Sequence, residues 1–265
     1  MTIAKNLAKV RAQIEVAAKR CGRNPNSIKL ISVSKTKTTA EIMEAINASQ
    51  LAFGENYAQE LRDKNSEITK HYALNTKHCS IEWHFIGHLQ RNKIKYVLPV
   101  ASWIHTIDSA ELLDEINRKL HVILNEAKDL PHIISRDSSP PTAVQSDQQV
   151  INCLIEVNIA GESSKSGINP EKVFDLVKVF SAIEPSNHRT IALKGLMCMP
   201  PPSDNPETSR PYFKKLKSLL DEINSRNIYP EKLTELSMGM TQDFEVAIEE
   251  GSTMLRIGTA IFGSR

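Results

Sequence analysis

The sequence predicts an α/β protein folded as a single (β/α)8 barrel of the TIM type with an extra helix at its N-terminus. Three observations carry this. Short runs rich in β-branched residues alternate with helical stretches along the whole chain, the alternation supplies eight strands, and 265 residues are what one such barrel consumes. An open doubly wound sheet usually stops at about five or six strands. One domain over residues 1–265 is expected.

The elements follow in order. Ile3, Leu7, Val10 and Ile14 recur at helical spacing, so the chain opens with an amphipathic helix, ended by a turn around Gly22 to Asn26. Ile28 to Ser34 reads as the first strand and Thr39 to Ser49 as its helix. Leu51 to Phe53 precedes a helix from about Asn56, Trp83 to Ile86 one from about Gln90, and Trp103 to Ile107 one from about Ser109. Val150 to Ile159, the longest apolar run, leads to a helix from Pro170, where the missing N–H has no helical partner to lose. Ile191 to Met197 is followed by Pro211 to Arg226, Leu233 to Ser237 by Asp243 to Glu249, and Met254 to Ile257 by a short closing turn. Ala127 to Gln149, with Ser138, Ser139, Pro140 and Pro141, breaks the rhythm and reads as a flexible insertion. It joins a helix to a strand, which places it on the N-terminal face, away from the face where barrel sites are built.

Composition narrows the partners. Lysine plus arginine total 33 against 31 acids, a net charge of +2, too weak a field to attract nucleic acid or a membrane surface. No run approaches the roughly 18 apolar residues of a membrane span, and the N-terminus lacks the apolar block of a secretory signal. A cytoplasmic monomer is expected. Cys21, Cys79, Cys153 and Cys198 are too dispersed for a CxxC pair, and His84, His88 and His105 do not match a compact ligand set, so no metal is expected.

In a barrel, chemistry belongs just after the strands. Lys35 follows Leu30, Ile31 and Val33, which delivers its amine to the mouth, where partial burial disfavours the ammonium form. A neutral amine is the nucleophile that a carbonyl cofactor needs, although by position alone a lysine reaching for solvent is the plainer reading. Gly258 and Thr259 open a short helix after the eighth strand, a recurrent barrel phosphate site, and Ser237 stands on the neighbouring strand end. Arg256, always charged, would discourage protonation of a nearby heterocyclic nitrogen. Lys165 in the loop from Glu162 to Gly167 is a weaker phosphate candidate.

The stretches Ser32 to Lys37, Phe53 to Tyr57, Trp83 to Lys93, Ser164 to Gly167, Leu236 to Met240 and Arg256 to Gly263 resemble the pyridoxal phosphate homeostasis proteins, the YggS/PROSC family. The resemblance runs from the first helix to the last turn and omits only Ala127 to Gln149. It implies an alanine racemase-like barrel, fold type III among proteins that use pyridoxal 5'-phosphate, with the cofactor in a Schiff base on Lys35. By the same resemblance Ser237, Gly258 and Thr259 hold the phosphate, Arg256 faces the pyridine nitrogen, and Asn56 and His84 line the ring pocket. The implied role is to bind, buffer and deliver pyridoxal phosphate to apo-enzymes, affecting amino and keto acid balance, without an assigned catalytic activity. Two rivals stand beside it: a racemase using Lys35 as its sole base, and a barrel without cofactor acting through protein contacts. A two-base racemase needs a second acid or base on the opposite face of its substrate, and the barrel leaves no room in this length for a domain to lend one.

Overall fold

The structure, a computed structural model, describes residues 2–74, 80–128, 149–162, 166–183 and 189–263. The apolar stripe near the N-terminus forms α1 (Ile3–Arg20), which Thr2 caps by accepting the Lys5 N–H, and which buries Ile3, Leu7, Val10, Ile14, Ala17 and Ala18. Then β1 (Lys29–Val33) leads to α2 (Thr39–Asn47), started by a capping box in which Thr38 and Glu41 satisfy each other's backbone N–H groups. The alternation continues through β2 (Ala52–Glu55), α3 (Ala58–Leu74), β3 (Glu82–Phe85), α4 (Ile94–Val97), β4 (Trp103–Ile107) and α5 (Ala110–Lys128). It closes with β5 (Gln149–Glu156), α6 (Val173–Ser181), β6 (Arg189–Met197), α7 (Arg210–Ser225), β7 (Glu235–Ser237), α8 (Phe244–Glu249), β8 (Met254–Ile257) and α9 (Thr259–Phe262).

The strands pair in parallel in chain order and close into a barrel. Closure pairs Lys29 with Met254, Leu30 with Leu255, Ile31 with Arg256 and Ser32 with Ile257. Because side chains alternate across a strand, Ile31, Trp103, Leu154, Met197 and Met254 pack together inside the barrel, while a larger apolar layer that includes Phe53, Phe85, Ile104, Leu193 and Leu236 lies between strands and helices. The extra helix α1 crosses the seam where β8 meets β1. Its Ile3 N–H donates to Glu44 at 2.9 Å and Arg11 donates to the Ala48 carbonyl at 2.9 Å, both on the α2 side. On the other side Asn6 donates to the Ile261 carbonyl at 2.8 Å and Arg20 pairs with Glu249 at 2.5 Å.

Several elements differ from the sequence expectation: β6 starts at Arg189 and β7 at Glu235, each two residues from the expected start, and three further differences are larger or bear on the site. β2 continues through Gly54 and Glu55, because Gly54 gives room to Ile86 and Glu55 turns outward to a buried lysine. The helix expected from Gln90 is a 3-10 turn at Arg91–Lys93 and the single turn of α4. β5 stops at Glu156, beyond which Val157 makes an isolated bridge to Ile168. Most of the expected insertion, residues 129–148, lies outside the described residues, as do Lys165 and Cys79.

Candidate functional site

At the C-terminal mouth of the barrel a cleft of about 460 Å³ is lined by residues from the ends of β1, β2, β3, β6, β7 and β8. Its polar groups are Lys35, Asn56, Thr241, Gln242, Arg256 and Thr259, and its apolar walls include Val33, Ile86, Met199 and Met240. The Thr259 and Thr241 hydroxyls meet at 3.0 Å where α9 begins, so the loops after β7 and β8 touch at a pair of hydroxyls. Gly239 turns the β7 loop at φ 95°, and a Cβ there would sit 2.6 Å from that of Ala247, so only glycine makes this turn. Asn56 is fixed from behind: a Cβ on Gly87 would lie 2.1 Å from the Asn56 carbonyl oxygen, and the bare glycine lets the two loops stack. The buried Oδ1 of Asn56 has no hydrogen-bond partner among the described residues.

Lys35 occupies the second place of a four-residue turn in which the Lys37 N–H donates to the Ser34 carbonyl at 3.0 Å. Behind the wall, Lys64 on α3 donates to the Ser34 carbonyl at 2.7 Å, to Glu55 Oε1 at 2.8 Å and to Glu60 Oε1 at 2.9 Å. Glu55 Oε1 also accepts the Ser34 hydroxyl at 2.6 Å, and Glu60 Oε1 accepts the Thr36 N–H at 2.7 Å. Burial pushes the Glu55 carboxyl up from its ordinary value, against the opposing pull of Lys64 and Ser34.

Under the cleft a polar column runs through the barrel. The Arg256 guanidinium, 4% exposed, donates to the Ser237 hydroxyl at 2.5 Å and to the Cys198 carbonyl at 2.9 Å. Ser237 Oγ meets His105 Nδ1 at 2.9 Å, and His105 Nε2 meets His84 Nδ1 at 2.9 Å. One proton assignment satisfies all of them: Ser237 donates to His105, and His105 donates to His84. His84 Nε2 then lies 2.7 Å from Glu82 Oε1, off the axis of a hydrogen bond, and Glu82 pairs with Lys29 at the bottom of the barrel. Burial holds both imidazoles below their ordinary value, and for His105 its neighbours His84, Arg256 and Lys29 add to it. Burial would raise Glu82, but its contacts with His84 and Lys29 outweigh that and hold it at about 2.

The structure thus brings Lys35, Asn56, Arg256, Gly258 and Thr259 to one cleft. Ser237 and His84 are not among the residues lining this cleft: both are fully buried and are joined through His105 in the column, and Ser237 also accepts from Arg256. The sequence reading missed Thr241, Gln242, Met199 and Lys64. Thr241 stands one residue beyond the motif ending at Met240 and was within reach of it; Lys64 is an ordinary helical lysine until its three acceptors are in place. Among the described residues no group of His, Cys, Asp and Glu is arranged to hold a metal, and no helix is long and apolar enough to cross a membrane.

Residues 6–265 match the family model described as alanine racemase, N-terminal domain. Fold and mouth-facing cleft therefore define a barrel of the alanine racemase class. A curated relative from Vibrio alginolyticus, the pyridoxal phosphate homeostasis protein, is 38% identical over 264 residues, covering 100% of this chain and 98% of its own. The chain belongs to the family of pyridoxal phosphate homeostasis proteins. Among solved structures, a protein from Bifidobacterium adolescentis superposes with a TM-score of 0.79 at 32% identity over 98% of this chain and 94% of its own. PipY of Synechococcus elongatus, solved with PLP bound, gives 0.74 at 27% identity over 99% of this chain and 100% of its own.

Proposed function

We propose that this chain binds pyridoxal 5'-phosphate in the mouth cleft, holds it as a Schiff base on Lys35, and stores it for delivery to enzymes that require it. The observation that carries the reading is the meeting of Lys35, Asn56, Arg256, Gly258 and Thr259 in a single cleft. The residues fit the group. A volume of about 460 Å³ suits a small ligand, and Lys35, Thr241 and Thr259 line it with an amine and two hydroxyls. The names of the curated relatives and the ligand of PipY support the same reading.

When bound, the cofactor supplies an aldehyde carbon that a primary amine attacks with loss of water, and a ring that withdraws electrons. Lys35 supplies that amine. Thr259, Thr241 and the leading N–H groups of α9, which have no acceptor within their own helix, hold the phosphate. Arg256 places a permanent positive charge in the floor, which keeps a proton off a ring nitrogen and weakens the ring as an electron sink. Ile86, Met199 and Met240 supply the apolar walls.

Storage is favoured over two-base racemisation by the chemistry of the wall, and a racemase with Lys35 as its sole base is left to the deuterium test below. Among the described residues, the ionisable side chains lining the cleft are Lys35 and Arg256, and a two-base racemase needs a second acid or base opposite the first. The carrier acts as a cytoplasmic monomer, which gel filtration checks. Mixing the chain with pyridoxal phosphate is expected to give a visible absorbance band that Lys35→Ala lacks. The loaded chain is expected to activate an apo-enzyme while free cofactor is trapped; release only through bulk solution would reduce delivery to buffering. Incubation with L-alanine in deuterated water is the opposing test, and turnover with deuterium at Cα would sink the carrier reading.

A further inference from the structure

We infer that Lys64 is a positioning residue: through Glu60 and Glu55 it fixes the backbone on both sides of Lys35 and so aims the Lys35 amine at the cleft. This rests on the cofactor reading above. Lys64 does not line the cleft, and it is 6% exposed behind the barrel wall. Its ammonium has three protons and gives each to an acceptor that leads back to the Lys35 turn. One bond goes straight to the Ser34 carbonyl, the second to the carboxylate that accepts the Ser34 hydroxyl, and the third to the carboxylate that accepts the Thr36 N–H.

The turn needs such a hold. Thr36 sits at φ 64°, a place that turns of this kind reserve for glycine and that a β-branched residue seldom adopts. Local preference therefore opposes the conformation, and the bond from Thr36 to Glu60 supports it from outside. With Ser34 and Thr36 both tied to α3 through one ammonium, Lys35 has little backbone freedom of its own. An amine that must reach a carbonyl carbon loses rate steeply when misplaced by even about an ångström.

Three variants separate aim from mere stability. Glu60→Ala removes the acceptor of the Thr36 N–H and keeps the Lys64–Glu55 pair, Glu60→Gln restores an oxygen acceptor, and Lys64→Met removes the hub. Amide hydrogen exchange at Thr36 and Lys37 in the cofactor-free chain reads the turn directly. The rate at which pyridoxal phosphate attaches to Lys35, followed by absorbance and confirmed by borohydride trapping and peptide mass, reads the aim. Glu60→Ala is expected to exchange faster and attach the cofactor about tenfold more slowly with little change in thermal midpoint, and Glu60→Gln to recover both. Lys64→Met is expected to be slower still, and a folded Lys64→Met that attaches the cofactor at the parental rate overturns the inference; should it fail to fold, Lys64→Gln is read in its place by the same criterion. Unchanged attachment in Glu60→Ala, or a slowing that Glu60→Gln does not restore, overturns the inference. Absence of attachment to Lys35 in the unsubstituted chain overturns the cofactor reading instead.

Discussion

Glu156 ends β5 at 3% exposure, and its Oε2 has no hydrogen-bond partner among the described residues. Burial pushes its carboxyl up to about 7, with Asp108 adding to the shift and Arg256 opposing it. A carboxyl raised in the fold prefers its proton there. It costs the fold nothing below its ordinary value of 4.5, and the cost grows as pH rises and is complete above about 7. Glu156→Gln is therefore expected to match the parent in urea unfolding near the lower pH and to exceed it by up to roughly 3 kcal/mol above the upper one. A difference that does not change with pH would show that Glu156 is not the group titrating. Single residues were legible where a strand end could be located: Lys35, Arg256, Gly258 and Thr259 follow from the alternation and reach the cleft, whereas Asn56 was named by the family resemblance. Whether an inward side chain stands above or below the floor depends on the depth of the barrel and on its cross-barrel neighbours, and a linear pattern holds neither. His84 and Ser237 share the inward face with the cleft residues but sit deeper, each paired with His105.

At the scale of elements, β4 and β8 have the bounds that the sequence predicts, because each is a short apolar run closed by a clear change of residue type. β2 was read short because glycine and glutamate are poor strand formers, and only the crowding of Ile86 and the ammonium of Lys64 explain why they extend it. The loop after β3 yields the element-scale test. Gly87→Ala would place a Cβ 2.1 Å from the Asn56 carbonyl, so one of the two loops must move. The expected cost is about 1–3 kcal/mol in chemical unfolding, together with weaker cofactor binding in an absorbance titration as Asn56 is displaced. Binding at full strength in that variant would show that the stacking of these loops does not set the site.

Across the whole molecule, the count and order of the strands were legible, and the position of the extra helix was not. Its apolar stripe shows that α1 packs, but its place over the β8–β1 seam follows from partners on α2 and α9, which are far apart in the chain. Burying Ile3, Leu7, Val10 and Ile14 contributes about 6–12 kcal/mol, comparable with the roughly 5–15 kcal/mol of net stability usual for a folded protein. A chain lacking residues 1–21 is expected to show no cooperative thermal transition by circular dichroism. A sharp transition near that of the full chain would show that strand pairing alone seals the seam.

The interior column constrains how such a barrel can change over generations. Replacing His84, His105 or Ser237 alone strands a neighbour's proton or lone pair where no water reaches, and exchanging all three for apolar residues still strands the buried Arg256 N–H that Ser237 accepts. Together with Arg256 these positions therefore form a single heritable unit, and a descendant carrying only part of it is the costly step between keeping it and losing it.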